Sequence, residues 1–304
     1  MKTKAKLILA MSVLTAGVVA AGATGTFAWF TTNRAAQLNY TSVTAQKNAG
    51  NLEVVLGKAA NGQFVTGNPA TVTGNDTIAK ATAESGSQMS DVSSADGYTF
   101  AKPIWKTVAG NNQYASSFQA GKWGVDYTTF WFSVKNSGNN ALDVYLNNGT
   151  AISPTTSGDA EDIAAAKYTR VAIAATTGNS SNVAVALTKA PTTNWLLENQ
   201  TGVRDQMYVP LPESLSTETQ VKAVALPKGV TSFVLDKEGS NLSAVTSVGG
   251  GTNQKLCTLA SDATAYFSVS VWLEGSKEDD TKFDAALEGK VNITLDLAGV
   301  EAAA

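Results

Sequence analysis

The clearest signal in the sequence is an alternation of apolar and polar side chains with a period of two residues, which is the period of a β-strand. Residues 130–135 alternate in this way, and so do residues 142–146. The five residues between them are Asn, Ser and Gly, which favour turns. The sequence therefore predicts two neighbouring antiparallel strands joined by this turn.

Three further segments alternate in the same way. Residues 265–273 and 291–297 do so near the C-terminus, and residues 52–56 do so near the N-terminus. Each would bury one face and leave the other face wetter, which suits antiparallel sheets packed face to face. We therefore predict an all-β fold, an antiparallel β-sandwich.

Helix signals are sparse, and we expect at most one or two short helices. Residues 159–167 favour two helical turns, with Asp159 near the N-cap and acidic residues in the first turn. Residues 168–173 then resemble a strand. The stretches 57–95 and 236–255 are rich in Gly, Ser, Thr and Asn without clear periodicity, which predicts long loops or excursions from the sandwich.

The first thirty residues have the layout of a secretory signal peptide. Three lysines precede residues 7–23, which are apolar or small and carry no charge. This core is too short and too rich in Ala and Gly for a membrane span, which needs roughly 20 strongly apolar residues. Cleavage after Ala23 or after Ala28 fits the preference for small residues, and a retained anchor helix is the alternative. We expect residues 1–28 to be removed and the mature chain to begin at Trp29.

Composition narrows the classes of function. The chain of 304 residues has no histidine, which removes nucleophile systems and zinc sites that depend on that residue. A glycosidase needs only two carboxylates, but nothing in the sequence singles out such a pair. No run of basic residues follows the signal peptide, so we expect no nucleic-acid partner. We therefore expect a protein that is not an enzyme.

The single cysteine, Cys257, cannot form a disulfide within the chain. A large core must therefore supply the stability of the fold. We predict that Cys257 is a buried small apolar residue. A disulfide between two chains is the alternative.

One cluster of carboxylates is a candidate metal-binding site. Clustered acidic side chains bind calcium through six to eight oxygen atoms. The spacing here matches no EF-hand loop, and the alternative is a solvated loop. We expect no other cofactor. The candidate calcium ligands are Glu274, Glu278, Asp279, Asp280 and Asp284.

Tryptophan residues suggest a second candidate site. Trp131 and Trp272 lie on the less apolar faces of their predicted strands, where they could stack on a sugar. The alternative is burial beneath loops or a second layer of structure. The tryptophans considered for a carbohydrate platform are Trp105, Trp123, Trp131, Trp195 and Trp272.

Several segments resemble a known family. Residues 25–31, Gly-Thr-Phe-Ala-Trp-Phe-Thr, are similar to the signal-peptide junction of the TasA/camelysin family of secreted Gram-positive proteins, which supports cleavage between Ala28 and Trp29. Residues 130–146 resemble a strand–turn–strand of that family, and residues 170–173 resemble a recurring strand start. Residues 271–275 resemble the start of a C-terminal hairpin.

The resemblance implies a jelly-roll-like sandwich that assembles into filaments. In such systems the segment freed by signal cleavage pairs with the sheet of the next subunit, which also covers an edge that would otherwise aggregate. The candidate donor is residues 29–46, and the alternative is an ordinary first strand of its own domain. Leu38 and Tyr40 share one face while Val43 falls on the other, so a bulge or register shift is required. The apolar donor residues are Trp29, Phe30, Leu38, Tyr40 and Val43.

These features together predict a secreted structural subunit of an extracellular filament or biofilm-matrix fibre. Residues 47–304 would form one sandwich domain with loop-rich insertions near 57–125 and 236–255, and residues 57–125 could also form a subdomain. The expected partners are other copies of the chain and matrix polysaccharide, and we expect no membrane contact after cleavage. The alternative is a monomeric adhesin or carbohydrate-binding surface protein.

Overall fold

The computed structural model describes the greater part of the chain. It describes residues 36–47, 52–60, 63–71, 79–83, 87–94, 97, 99–107, 113–176, 194–199, 206–208, 221–223, 230–235, 242–245, 247, 254–274 and 286–303. The predicted signal peptide, together with Trp29 and Phe30, lies outside these ranges.

The described residues form many strands and one helix, α1 (Ala160–Tyr168). No helix among them is long and apolar enough to cross a membrane. In chain order, the strands are β1 (Ala36–Lys47), β2 (Leu52–Ala60), β3 (Gln63–Thr71), β4 (Ala79–Ala83), β5 (Ser87–Met89), β6 (Asp91–Val92), β7 (Ala101–Thr107), β8 (Gln113–Ala120), β9 (Tyr127–Asn136), β10 (Leu142–Leu146), β11 (Ala151–Pro154), β12 (Thr169–Thr176), β13 (Asn194–Glu198), β14 (Gln206–Tyr208), β15 (Val221–Ala223), β16 (Val230–Val234), β17 (Lys255–Leu259), β18 (Thr264–Glu274) and β19 (Lys290–Glu301).

Two large sheets, which we call A and B, form the body of the protein. Sheet A has the order β17-β10-β19-β1-β4, with β11 also paired to β19 and β5 to β1. Sheet B has the order β16-β13-β12-β18-β9-β2-β3, with β6 also paired to β18. Most neighbours are antiparallel, but three pairs are parallel: β1 with β19, β13 with β16, and β6 with β18. Two separate hairpins, β7–β8 and β14–β15, complete the described strands.

The core lies between the two sheets. The alternation in the sequence correctly identifies the inner faces, because the alternating apolar residues of β9, β10, β18 and β19 belong to one buried apolar cluster. The all-β sandwich is confirmed, whereas its jelly-roll connectivity remains a prediction. The core includes Phe130, Phe132 and Val134 from β9, Leu142, Val144 and Leu146 from β10, Phe267, Val269, Val271 and Leu273 from β18, and Val291, Ile293, Leu295 and Leu297 from β19.

The predicted pairing of residues 130–135 with 142–146 is wrong. β9 pairs with β2 and β18 in sheet B, whereas β10 pairs with β17 and β19 in sheet A. The connection crosses from one sheet to the other, and Asn136 fixes it. Its Nδ2 donates to the carbonyl of Asn140 at 2.8 Å and to that of Leu259 at 3.2 Å. The buried Asn136 side chain therefore holds the connection at the point where the chain passes from sheet B to sheet A.

The C-terminal segment departs from its expected pairing in the same way. β18 belongs to sheet B and β19 to sheet A. The two strands therefore do not form a C-terminal hairpin, although residues 271–275 resemble the start of one.

The segment 57–95 also differs from its prediction as a long loop. It contains the end of β2, all of β3 to β5, and β6. β2 and β3 form a hairpin whose register shifts between Val55 and Gly57. These strands consist largely of small and polar residues that do not alternate, so the sequence pattern gives no signal for them. They can still form, because main-chain pairing does not need an apolar face. Further along the chain, residues 242–245 lie outside strands and Lys255 begins β17, while most of the stretch 236–255 lies outside the described residues.

Helix α1 forms where the sequence predicts it. The Asp159 side chain accepts a hydrogen bond from the Asp162 amide at 3.0 Å and so caps the first turn. At the other end, the Thr169 hydroxyl donates to the Ala165 carbonyl at 2.7 Å. The chain then continues directly into β12, which confirms the predicted helix-to-strand transition.

Candidate functional site

The described part of the N-terminal candidate segment, residues 36–46, lies in strand β1, in the interior of sheet A. β1 lies between β19 on one side and β4 and β5 on the other. Its parallel ladder with β19 runs from Gln37 beside Lys290 to Lys47 beside Gly299. β1 is the first described strand, so only its Lys47 end is joined to the rest of the described sandwich.

The bulge that the donor spacing requires is present in β1. Leu38 pairs with Val291 and Tyr40 pairs with Asn292, so Asn39 is an extra residue in the ladder. Further along, Val43 pairs with Leu295. Val291 and Leu295 are fully buried in the core, whereas Asn292 lies on the other face and is partly exposed. Because of the bulge, Leu38 and Val43 both pair with core-facing residues of β19.

Sheet A depends on the segment that fills this position. Without it, the main-chain groups of β19, β4 and β5 that now pair with β1 would lose their partners. Unpaired donors and acceptors on a strand favour pairing with another strand. The slot between β19 and β4 is therefore able to bind an extended segment, whichever copy supplies it.

The described part of the acidic cluster is already engaged by protein groups. Glu274 is 1 % exposed, and its Oε2 accepts from Arg170 Nη1 at 2.9 Å and from Trp272 Nε1 at 3.1 Å. The Ser94 amide also donates to this oxygen. The candidates Glu278, Asp279, Asp280 and Asp284 lie outside the described residues. Within the described ranges, no group of three or more His, Cys, Asp or Glu residues could hold a metal ion.

Arg170 is a buried cation that the sequence analysis missed. Its side chain is 2 % exposed and contacts Glu198 through Nε at 3.1 Å as well as Glu274. Register explains the arrangement, because Arg170 pairs with Glu198 on one side and with Trp272 on the other. Nη2 has no hydrogen-bond partner in the part of the chain that the structure describes. Two carboxylates thus share one guanidinium beneath the loop that contains Ser94.

The prediction of a sugar platform at Trp131 and Trp272 is wrong, because both side chains are buried. Trp131 is 2 % exposed and Trp272 is fully buried. Phe100 packs edge-on against Trp272, with ring centroids 5.3 Å apart. The segment around Phe100 therefore covers the outer face of sheet B at Trp272, and the burial of both tryptophans agrees with the alternative. Trp195 is buried too and Trp123 is half-buried, whereas the structure describes only the main chain of Trp105.

Asp126 fixes a turn, residues 122–126, beside the start of β1. Its Oδ1 accepts from Lys102 Nζ at 2.5 Å and from Ser90 Oγ at 2.6 Å, and its Oδ2 accepts from the Lys122 amide at 2.8 Å. Burial alone would raise the pKa of Asp126, but the hydrogen bonds from Lys102, Ser90 and Lys122 outweigh it and lower the pKa. Asp126 therefore stays ionised and holds the turn against Ser90.

Cys257 lies at the margin of the core, in β17. It is partly buried and packs against the main apolar cluster. Burial, with the nearby Asp143 carboxylate, raises the pKa of its thiol to about 12. The thiolate that exchanges disulfides is therefore scarce at neutral pH.

No protein family, curated protein or solved structure matches this chain. The likeness of residues 25–31 to the TasA/camelysin junction therefore stays a hypothesis. Among the described residues, the position of β1 in sheet A is the feature that bears most directly on function.

Proposed function

We propose that this protein is a secreted structural subunit of an extracellular filament, in which β1 of one copy fills the slot in sheet A of the next. The observation that carries the proposal is the parallel ladder between β1 and β19, with a bulge that brings Leu38 and Val43 to core-side registers. The sheet thus accepts this segment in one defined register.

Main-chain pairing would supply the affinity of such a contact. A strand from another copy makes the same hydrogen bonds as one from the same chain, and its alternate side chains set the register. β1 pairs along nearly its whole length, from Gln37 to Lys47, so exchange would transfer an extensive ladder between copies. Exchange of an identical element is a low-cost route from monomers to assemblies.

Export and assembly are connected through the N-terminal sequence. The signal-peptide layout ends at Ala28, and the proposed donor segment starts with the next residue, Trp29. Cleavage would free the segment only after export, which keeps assembly outside the cell. The mature filament would associate with itself first and with matrix polysaccharide as a further partner.

Electron microscopy of two purified chains tests the proposal. One chain begins at Trp29, and the other lacks residues 29–40, which removes the bulge and the first pairs of the ladder. Circular dichroism checks that both chains are folded, and both are then incubated at rising concentration. Regular fibres of constant width from the longer chain alone support the proposal. Fibres from the shorter chain, or monodisperse particles from both, contradict it.

A further inference from the structure

Two large apolar side chains stand out on the described surface, and one of them lies near the start of β1. Val125 is 51 % exposed and Ile163 is 47 % exposed. Val125 belongs to the turn of residues 122–126, beside the half-buried Trp123. An exposed branched apolar residue is unusual in a tight turn, where polar residues and glycine dominate.

A short path of contacts connects this turn to β1. Ala36, the first residue of β1, pairs with Met89. The next residue, Ser90, donates its amide to the Asp126 carbonyl at 3.0 Å, and Val125 is the neighbour of Asp126. Standard chain and strand dimensions put Val125 within roughly 17 Å of Ala36.

The chain before Ala36 carries two large aromatic residues, Trp29 and Phe30. Six residues in an extended conformation span about 20 Å, so Phe30 can reach Val125 from Ala36. Burying such aromatic rings is favourable, and each covers a large area. The segment from 29 to 35 therefore has both the length and the apolar residues to cover the turn.

We infer that the turn of residues 122–126 is the docking site for Trp29 and Phe30 of whichever copy supplies β1. This deepens the proposed function but does not depend on exchange, because β1 starts at the same place in either case. Val125 and the ring of Trp123 provide the apolar contact. The Trp123 indole N–H is itself buried and has no hydrogen-bond partner among the described residues, so only the part of the ring that remains exposed is available to the docked segment.

The docked pair would anchor the strand at its start. β1 has a bulge at Asn39, close to its first residue, and a bulge disrupts the ladder locally. An aromatic anchor before Ala36 would compensate for the weakened pairing at this end.

Disulfide trapping tests the inference. In a Cys257→Ala background, Phe30→Cys is combined with Val125→Cys in one chain and with Ile163→Cys in another. Ile163 is a matched control, since it is 47 % exposed and its neighbour Asp162 accepts from the amide of Lys290, which pairs with Gln37 near the start of β1. Docking predicts at least several-fold more disulfide with Val125→Cys than with Ile163→Cys under mild oxidation. Equal yields, a preference for Ile163→Cys, or no disulfide at either position would overturn it.

Non-reducing gels separate this result from the proposed filament. A disulfide within one chain supports docking with β1 in its own sheet, and a ladder of linked chains supports docking together with exchange. Docking can therefore hold where exchange fails. Conversely, fibres that form without a preferred disulfide at Val125→Cys would retain the filament and reject the docking site.

Discussion

Ser42 and Thr294 are main-chain partners in a parallel ladder that joins β1, the first described strand, to β19, the last. Parallel strands cannot be joined by a tight turn, and here the two partners come from opposite ends of the described chain. Contacts between segments so distant in sequence carry a high entropic cost of loop closure and tend to form late. A second copy therefore has an opportunity to supply β1 before the chain closes on itself.

The bulge in β1 should tolerate removal of its extra residue. Deleting Asn39 leaves Leu38 beside Val291 and Tyr40 beside Asn292, so the strand becomes regular without changing faces. Inserting an alanine after Thr41 instead moves one part of the strand to the opposite face. We expect the deletion to change the free energy of unfolding little, and the insertion to cost about 2 kcal/mol, the worth of one buried Leu.

Urea denaturation of both variants measures this difference. Equal losses from the deletion and the insertion would show that the register seen here is not the one that stabilises the fold.

Replacing Arg170 should destabilise the protein strongly. Arg170→Met leaves Glu198 and Glu274 buried together without a cation, which typically costs about 3–5 kcal/mol. Adding Glu198→Gln and Glu274→Gln removes both charges and should restore most of the loss. The exposed Lys290 serves as a control, because Lys290→Met should stay within about 0.5 kcal/mol.

Chemical denaturation near neutral pH checks the prediction. If Arg170→Met and Lys290→Met have the same small effect, the buried network contributes little to stability.

Gly97 should not tolerate a side chain. Its φ is +68°, and an added Cβ would lie 2.0 Å from the Cβ of Ala172. Gly124 has a similar φ of +77° with open space around it, so Gly124→Ala should cost only the backbone strain of about 1–2 kcal/mol. We expect Gly97→Ala to cost clearly more and Ala172→Gly to recover part of the excess. Thermal unfolding of the single and double variants measures this, and equal losses for the two glycines would contradict the close packing.

Cys257 should be unreactive in the folded protein. Because its thiol pKa is raised to about 12, little thiolate forms at pH 8, whereas the unfolded chain should react at a normal rate. The raised pKa also predicts that stability falls as pH rises from about 9 towards 12, since only the unfolded state then ionises easily. Cys257→Ala should remove this component. Rapid labelling of the native protein by a thiol reagent would show that the side chain is accessible and ionised.

The sequence predicts the inner faces of the sheets well but not the partners of the strands. Alternation identifies Phe130, Phe132 and Val134 as core residues because it records which side is buried. The alternation does not show which strand lies next to which in a sheet. The turn after Asn136 is therefore equally compatible with a hairpin and with a crossing from one sheet to the other. Hydrogen bonds from Asn136 to distant carbonyls decide between them.

For the candidate sites too, the sequence predicts local features of a strand but not the segments that lie against it. The spacing of Leu38, Tyr40 and Val43 requires a bulge, and the ladder contains one. The burial of Trp272 could not be derived, because it depends on a covering segment around Phe100 that has no alternation of its own. The pairing of Arg170 with Glu198 depends on cross-strand register, which a single sequence does not reveal.

Disulfide formation between two different chains tests the exchange of β1 most directly. In a Cys257→Ala background, one chain carries Ser42→Cys and the other Thr294→Cys, and paired positions in a ladder fall in the distance range of a disulfide. Exchange predicts that mixed assemblies contain a covalent dimer of the two chains, while Ser42→Cys mixed with Asn148→Cys, an exposed turn position, gives none. Assemblies in which Ser42→Cys never links to Thr294→Cys of another chain, while a single chain carrying both links only to itself, would contradict the account.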